Sequence, residues 1–159
     1  MNPGAESGKF CLKRKEAKKM FKKILVAYDG SEGAKLALSK AADIGKVSEA
    51  ELHILAVGRI PEYAETVSEV EEAKEQAKGF YSRVVEEAVS NLKERGLTAT
   101  AHIDFGKPGD VILRIAEHFS VDLVIMGNNP HSAFRRRVLG ATVDKVVDHA
   151  HCSVLVVRG

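Results

Sequence analysis

The sequence predicts a single α/β domain whose core is an open, doubly wound, five-stranded parallel sheet with helices on both faces. Five short apolar runs alternate with segments of helical periodicity, which indicates βαβ units with right-handed crossovers. Three of the runs are almost continuously apolar, as expected for strands that helices cover on both faces. With 159 residues, 45% of them hydrophobic, the chain has room for one core and no second domain.

The apolar runs define the five predicted strands. In chain order they are Lys23–Asp29, Glu51–Val57, Thr98–Asp104, Val121–Met126 and Ser153–Val157. The last strand is apolar and ends the chain, so we expect it at an edge of the sheet. An unprotected apolar edge favours pairing with a second copy of the same strand, which predicts a homodimer.

Helical periodicity defines four segments between the strands. They are Glu32–Gly45, Glu69–Gly96, Pro108–Phe119 and Leu139–Ala150. In the second helix, apolar residues that step by four predict the buried face: Phe80, Val84, Ala88 and Leu92. Gly96 is well placed to end this helix, and Pro108 suits the first position of the third.

Basic residues concentrate near the N-terminus and divide the chain into two parts. We predict a basic N-terminal extension over residues 1–20 and the α/β domain over residues 21–159. Net charge is +2, but without this basic stretch the remainder would be acidic, so charge gives no reason to expect nucleic-acid binding. The first residues contain no apolar signal-peptide region, and no apolar run reaches membrane-spanning length. We therefore expect a cytoplasmic protein without a membrane partner.

The carboxyl ends of the strands are where a ligand is expected. Doubly wound sheets bind ligands beyond these ends, at the point where strand order reverses. "YDGS" follows the first strand, "VGRIPEY" the second and "MGNNP" the fourth. If strands one and four are neighbours at the reversal, Asp29 and Gly127 face each other across one crevice.

The segment "MGNNPHSAFRRRVLGAT" leads from this crevice into the last helix. It contains neither a dinucleotide fingerprint nor a P-loop. Gly140 lets backbone approach a ligand, and the amides of the next residues point outward at the positive end of the helix, which makes an anion site. These amides belong to Ala141, Thr142 and Val143.

Three blocks of the chain resemble the universal stress protein family over Phe21–Arg158. They are "KKILVAYDGSEGAKLAL", "DFGKPGDVILRIAEHFSVDLVIMG" and "LGATVDKVVDHAHCSVLVV". The resemblance implies an adenine nucleotide alpha hydrolase-like fold that is usually dimeric. Its nucleotide-binding members hold ATP or AMP with the motif G-x2-G-x9-G followed by Ser or Thr.

Two positions depart from that motif. Gly127 and Gly140 match its first and third glycines, but Pro130 replaces the second and Ala141 replaces the Ser or Thr. Pro130 has no N–H to donate and fixes its own φ, whereas Ala141 loses a hydroxyl and keeps its amide. Three kinds of group offer compensating contacts: the Thr142 hydroxyl, the side-chain amide of Asn128 or Asn129, and an arginine among residues 135–137, for which a solvated position is the alternative.

The resemblance also implies an adenosine pocket. Asp29 matches the family's acidic contact to adenosine, assisted by backbone around Ala27 and Tyr28, and Val57 matches the residue that packs on adenine. Met126, at the end of the fourth strand, completes the predicted set. As alternatives, Asp29 is a turn residue or an N-cap, a role that Ser31 also fits, and Val57 is ordinary core.

We expect a universal stress protein that binds ATP or AMP as a regulatory ligand in the stress response. Mg²⁺ is a further candidate cofactor. The sequence shows no general base, P-loop lysine or metal-binding carboxylate pair, so we expect at most slow ATP hydrolysis. The alternative is a nucleotide-free homodimeric interaction module, which Pro130 and Ala141 favour.

Histidine and cysteine patterns add no further site. "DHAHC" places Asp148, His149, His151 and Cys152 together, but similar segments are common in the family, so we do not expect zinc. The other histidines are scattered along the sequence without a nucleophile partner: His53, His102, His118 and His131.

Overall fold

The computed structural model describes residues 19–62, 64–128 and 139–159 and confirms the predicted α/β architecture. Its strands are β1 Lys23–Ala27, β2 Glu51–Gly58, β3 Ala99–Phe105, β4 Leu123–Asn128 and β5 Ser153–Arg158. Its helices are α1 Glu32–Ser48, α2 Val67–Glu94, α3 Pro108–His118 and α4 Ala141–His149. Predictions that concern Asn129, Pro130, His131, residues 135–137 or residues 1–18 lie outside the described residues.

All five strands form one parallel sheet in the order β3-β2-β1-β4-β5. Strand order reverses between β1 and β4, where Ala27 pairs in register with Met126. This confirms that strands one and four are neighbours and that the last strand lies at an edge. The reversal opens a crevice beyond the carboxyl ends of these two strands.

The sheet separates two hydrophobic cores. On one face, α1 and α2 pack on alternate strand residues, with Ile24, Val26 and Ile54 fully buried beneath them. On the other face, α3 and α4 cover Leu25 and Val124. Both faces of β1 are therefore buried, which explains why this strand is apolar at consecutive positions.

Capping residues fix the ends of the helices. The Ser31 hydroxyl accepts the Ala34 N–H at 3.2 Å and caps α1. Gly96 adopts a φ of +76° after α2, and Leu97 N–H donates to Leu92 O at 2.9 Å, so the predicted stop is confirmed. At the other end, Thr66 and Glu69 form a capping box, and α2 therefore begins at Val67 rather than at the predicted Glu69.

Two further predictions about the fold are wrong. Strand β1 ends at Ala27 instead of Asp29, because the chain turns there toward α1. Phe80 does not belong to the buried face of α2, since 57% of it is exposed. With 28 residues, α2 is roughly 42 Å long, whereas the eight residues of β2 span roughly 27 Å. The N-terminal part of α2 thus extends past the sheet, and Phe80 lies over the crevice.

Among the described helices, none combines the length and the apolar character needed to cross a membrane.

Candidate functional site

A cavity of about 350 Å³ lies at the carboxyl ends of β1, β2 and β4, where strand order reverses. Asp29 and Gly127 both line it, as predicted for a crevice between the first and fourth strands. The cavity brings together these predicted site residues: Ala27, Tyr28, Asp29, Val57, Met126, Gly127, Thr142 and Val143. Strand ends on three neighbouring strands and the first turn of α4 therefore form one concave surface.

Gly140 and Ala141 stand at the start of α4 but do not line the cavity itself. Gly140 is the N-cap, with a φ of −65° that any residue adopts. A Cβ built on it would come no closer than 4.0 Å to another described atom, Asn128 Oδ1. The described part of the fold therefore gives no reason for glycine at this position.

The first amides of α4 have no carbonyl partner within the helix. The first intrahelical bond runs from Asp144 N–H to Gly140 O at 2.9 Å. The N–H groups of Ala141, Thr142 and Val143 precede it and lie at the positive end of the helix dipole. With Thr142 and Val143 on the cavity wall, this end of the cavity suits an anionic group.

Gly127 has a structural reason to be glycine. A Cβ at this position would overlap the carbonyl group of Gly33 and lie 2.8 Å from Ala34 N. The end of β4 thus contacts the backbone of the first turn of α1 directly. The sequence-based interpretation of Gly127 as a ligand residue did not include this packing role.

Asp29 fills the turn role that was the alternative to ligand contact. Its Oδ1 accepts the Ser31 N–H at 2.9 Å, which positions Ser31 to cap α1. Asp29 is nevertheless exposed and lines the cavity. Within the described residues no hydrogen bond engages Oδ2, so the two roles are compatible and the ligand contact stays a prediction.

Tyr28 closes the inner side of the cavity. Only 3% of it is exposed, and its hydroxyl donates to Glu87 Oε1 at 3.3 Å. Burial, followed by the nearby Glu87 carboxylate, raises the pKa of Tyr28 to about 12, so the phenol stays neutral. Its amide already donates to Leu55 O at 2.8 Å, so the predicted backbone contribution at Tyr28 is limited to the carbonyl.

Several lining residues were missed by sequence reasoning. They are Ser31, Ala34, Leu55, Arg59, Phe80, Tyr81, Pro108 and Ile112. Arg59 lies in "VGRIPEY", the segment that follows the second predicted strand. Its position after a strand end could therefore have indicated that it lines the cavity. Phe80 and Tyr81 come from the part of α2 that extends past the sheet, which local patterns do not reveal.

The structure gathers three histidines that look scattered in the sequence. His53 Nδ1 lies 2.9 Å from His102 Nε2, and the Phe119 ring lies against both imidazoles, with centroid distances of 5.1 and 4.6 Å. His118 meets the other side of Phe119 edge-on at 4.7 Å. The adjacent strands β2 and β3 bring His53 and His102 to the same face of the sheet.

His102 lies where its charged form is disfavoured, next to the buried His53. His53 is 3% exposed, and its Nε2 lies 3.0 Å from Glu51 Oε1, at an angle outside hydrogen-bond geometry. Burial, together with His53 and His118 as neighbouring imidazoles, lowers the pKa of His102. His102 therefore binds a proton more readily in the unfolded chain than in the folded protein.

We expect acid to destabilise the protein through His102. As the pH falls below 6.5, the ordinary pKa of histidine, His102 binds a proton in the unfolded chain but not in the folded protein. The free energy of unfolding therefore declines until the pH is below the lowered pKa of His102 in the folded protein. In urea unfolding across this pH range, the free energy of unfolding should decline less for His102→Gln than for the unmodified protein. Glutamine keeps a hydrogen-bonding partner for His53. The exposed His151→Gln serves as control. Equal declines in all three proteins would contradict the role of His102.

The segment before β5 shows no metal centre. No three His, Cys, Asp or Glu side chains gather closely enough to hold a metal ion in the described parts of the chain. His149 Nδ1 contacts Lys145 O at 3.0 Å, and burial raises the pKa of the Cys152 thiol.

The fold and the cavity define the class of protein: a doubly wound α/β domain with a cavity at its topological switch point. A comparison with models of protein families matches residues 20–158 to the universal stress protein family. The chain belongs to this family.

Individual relatives agree with this assignment. Universal stress protein YxiE from Bacillus subtilis is 33% identical over 153 residues, which cover 87% of this chain and 100% of YxiE. Among solved structures, UspA from Lactobacillus plantarum is similar with a TM-score of 0.74 and 26% identity, covering 86% of this chain and 97% of UspA. The sheet and its helices have the adenine nucleotide alpha hydrolase-like fold of these proteins.

A more distant structure was determined with a nucleotide. The universal stress protein from Archaeoglobus fulgidus, in complex with dAMP, has a TM-score of 0.59 and 22% identity, covering 85% of this chain and 96% of that protein. At this identity the likeness establishes the shared fold.

Proposed function

We propose that this universal stress protein binds an adenine nucleotide, ATP or AMP, as a regulatory ligand in the stress response. The observation that carries the proposal is that one cavity is lined by the amide end of α4 and also by Asp29 and Val57. Its volume of about 350 Å³ falls within the range of small-molecule sites, roughly 300–1,000 Å³. The dAMP complex of the Archaeoglobus fulgidus protein supports the choice of ligand class.

The two ends of the cavity suit the two ends of a nucleotide. At the α4 end, helix amides and the positive dipole favour phosphate. At the other end, Leu55 and Val57 of β2 provide an apolar surface for a base, and Ile112 and Met126 add apolar surface to the floor of the cavity. Asp29 offers Oδ2 as an acceptor for a sugar hydroxyl between these ends.

The charged groups of the lining favour binding over turnover. Of the described lining residues, only Asp29 and Arg59 are charged, and none is a lysine or a histidine. Mg²⁺ accompanying ATP would be held mainly by the phosphates, since magnesium sites combine one or two carboxylates with substrate oxygens. We therefore expect hydrolysis to be slow at most, and the bound state to be the signal.

Calorimetric titration of the nucleotide-stripped protein with ATP and AMP tests the proposal. We expect binding with a Kd on the order of micromolar, a standard free energy near −8 kcal/mol. Asp29→Asn should weaken nucleotide binding roughly tenfold or more, since a hydrogen bond to a charged group contributes about 1.5–3 kcal/mol. This variant keeps an oxygen for the Ser31 N–H, so the turn into α1 is preserved.

Asp148→Asn is the matched control, because Asp148 is exposed on α4 and does not line the cavity. Its affinity should equal that of the unmodified protein. Absence of binding by the unmodified protein would overturn the proposal and favour the alternative, a nucleotide-free homodimeric interaction module. The packing role of Gly127 is compatible with that alternative, since it explains the glycine without a ligand.

Homodimerisation and a cytoplasmic location are part of the same proposal. Within the part of the chain that the structure describes, strand β5 pairs only with β4 and its other edge is unpaired, with Val154 and Val156 half-buried. Antiparallel pairing of two β5 edges would complete their backbone hydrogen bonds. Light scattering at micromolar concentration should give the mass of a dimer, and a monomer mass would refute this part.

A further inference from the structure

A series of aromatic rings runs from the end of β3 to the mouth of the cavity. The rings of Phe105 and Tyr81 meet edge-on with centroids 6.0 Å apart, and Tyr81 meets Phe80 in the same way at 5.1 Å. The first two rings pack against the backbone of Gly58, where a Cβ would overlap Phe105 and lie 3.0 Å from Tyr81. Gly106 N–H also donates to Gly58 O at 2.9 Å. The backbone that carries Arg59 is therefore firmly held.

Phe80 ends this series and is left largely uncovered. It is 57% exposed although it contacts Tyr81 on one side, and it lines the cavity. An exposed aromatic ring at the rim of a concave site is a recognised feature of binding surfaces. Burial of this ring by a ligand would remove apolar surface from water without any change in the core.

Arg59 is exposed at the same cavity and has no partner among the residues that the structure describes. Arg95 and Arg114 are engaged by carboxylates, Asp43 at 2.6 Å and Asp104 at 2.7 Å. Across the described residues, Arg59 forms neither a hydrogen bond nor an ion pair. Its guanidinium is thus a planar cation that remains available at the end of β2.

The position of β2 separates these two side chains from the anion-binding end. Strand β1 lies between β2 and β4, so the ends of β2 and β4 are about 10 Å apart at the usual strand spacing. A ligand with phosphate at the first turn of α4 reaches across β1 with its opposite end. That opposite end, the base of a nucleotide, meets the β2 side of the cavity.

We propose that Arg59 and Phe80 are ligand-binding residues that hold the purine base by stacking. A guanidinium plane and a phenyl ring both offer flat surfaces to an aromatic base, and the guanidinium adds a cation–π attraction. Arg59 accordingly contacts the base and not the phosphate. This inference rests on the proposed nucleotide binding and deepens it.

The test measures Kd for AMP and for adenosine with the unmodified protein and four variants: Arg59→Ala, Arg59→Lys, Phe80→Ala and Phe80→Tyr. We expect both alanine substitutions to weaken the binding of AMP and of adenosine by the same factor, roughly tenfold. This is the order of magnitude of the contribution of base–aromatic stacking to affinity. Phe80→Tyr keeps the ring and should retain affinity. Arg59→Lys keeps the charge but not the plane, and should bind as weakly as Arg59→Ala.

Two control variants change similar side chains on α2 outside the cavity. Arg83→Ala removes an exposed arginine, and Val67→Ala truncates a side chain that is 81% exposed. Both should leave AMP and adenosine affinity unchanged. Unchanged melting temperatures would show that all variants are folded, as expected from the exposure of the substituted residues.

Each remaining outcome overturns the inference in a distinct way. If Arg59→Ala weakens AMP while adenosine binding is unchanged, and Arg59→Lys restores it, Arg59 binds the phosphate instead. If neither alanine variant changes an AMP affinity that the unmodified protein does show, the base lies elsewhere and nucleotide binding stands. If the unmodified protein binds neither compound, the proposed function fails and this inference fails with it.

Discussion

Gly127→Ala is expected to destabilise the protein by about 3 kcal/mol or more, at the upper end of what overpacking causes. The added Cβ would overlap the carbonyl of Gly33 and press on Ala34 N, which are backbone atoms of a capped helix start. Neither can rotate away as a side chain would. Because β4 lies inside the sheet, relief would require movement of α1 or of a central strand.

Urea unfolding measures this effect directly. A loss of about 3 kcal/mol is a substantial part of the roughly 5–15 kcal/mol that stabilises a typical domain. It should lower the melting temperature by roughly 6–12 °C for a chain of this length.

Gly79→Ala makes the same chemical change where there is space. Gly79 lies within α2 and a Cβ there meets nothing within 4 Å. Since alanine favours helix by about 1 kcal/mol over glycine, this variant should be more stable than the unmodified protein. Effects of equal sign in the two variants would contradict the backbone contact at Gly127.

Gly140→Val is expected to abolish high-affinity nucleotide binding while the fold is retained. The N-cap conformation, with φ −65° and ψ 156°, accepts a β-branched residue, and the nearest described atom to a Cβ is 4.0 Å away. The isopropyl group would project where phosphate approaches the first amides of α4. Losing hydrogen bonds to a charged group should raise Kd roughly 10- to 100-fold.

Stability and affinity separate the two possible roles of Gly140. Valine is a poorer N-cap than glycine, which should destabilise α4 by less than about 1 kcal/mol. Gly140→Ser restores a preferred N-cap with a smaller side chain, so it should be at least as stable as the unmodified protein and bind more tightly than the valine variant. Normal AMP affinity in Gly140→Val would show that no phosphate reaches this helix end.

The order of elements and the place of the crevice were predictable because they follow from local patterns and general topology. Alternating apolar runs and helical segments leave few arrangements once crossovers are right-handed. Asp29, Val57 and Gly127, which lie at or just after the ends of three strands, therefore converge as expected. The beginning of α2 could also have been predicted, since Thr66 and Glu69 have capping-box spacing, but the prediction did not use that spacing.

Other features depend on how elements approach one another, which periodicity does not encode. Spacing by four placed Phe80 in the core, because the pattern contains no information on where the sheet ends beneath a longer helix. His53 and His102 are distant in sequence and meet only because β2 pairs with β3 in one particular register. The same is true of Gly127 and Gly33, whose contact requires the tertiary packing of α1 on β4.

The direct contact between β4 and α1 at Gly127 also bears on the kinetics of ligand binding. Two walls of the cavity are joined backbone to backbone, so they are preorganised and a ligand need not order them on arrival. Association should then approach the rate of ordinary oriented encounters, on the order of 10⁵–10⁷ M⁻¹s⁻¹. Differences in affinity between related nucleotides would consequently appear in how long each one stays bound.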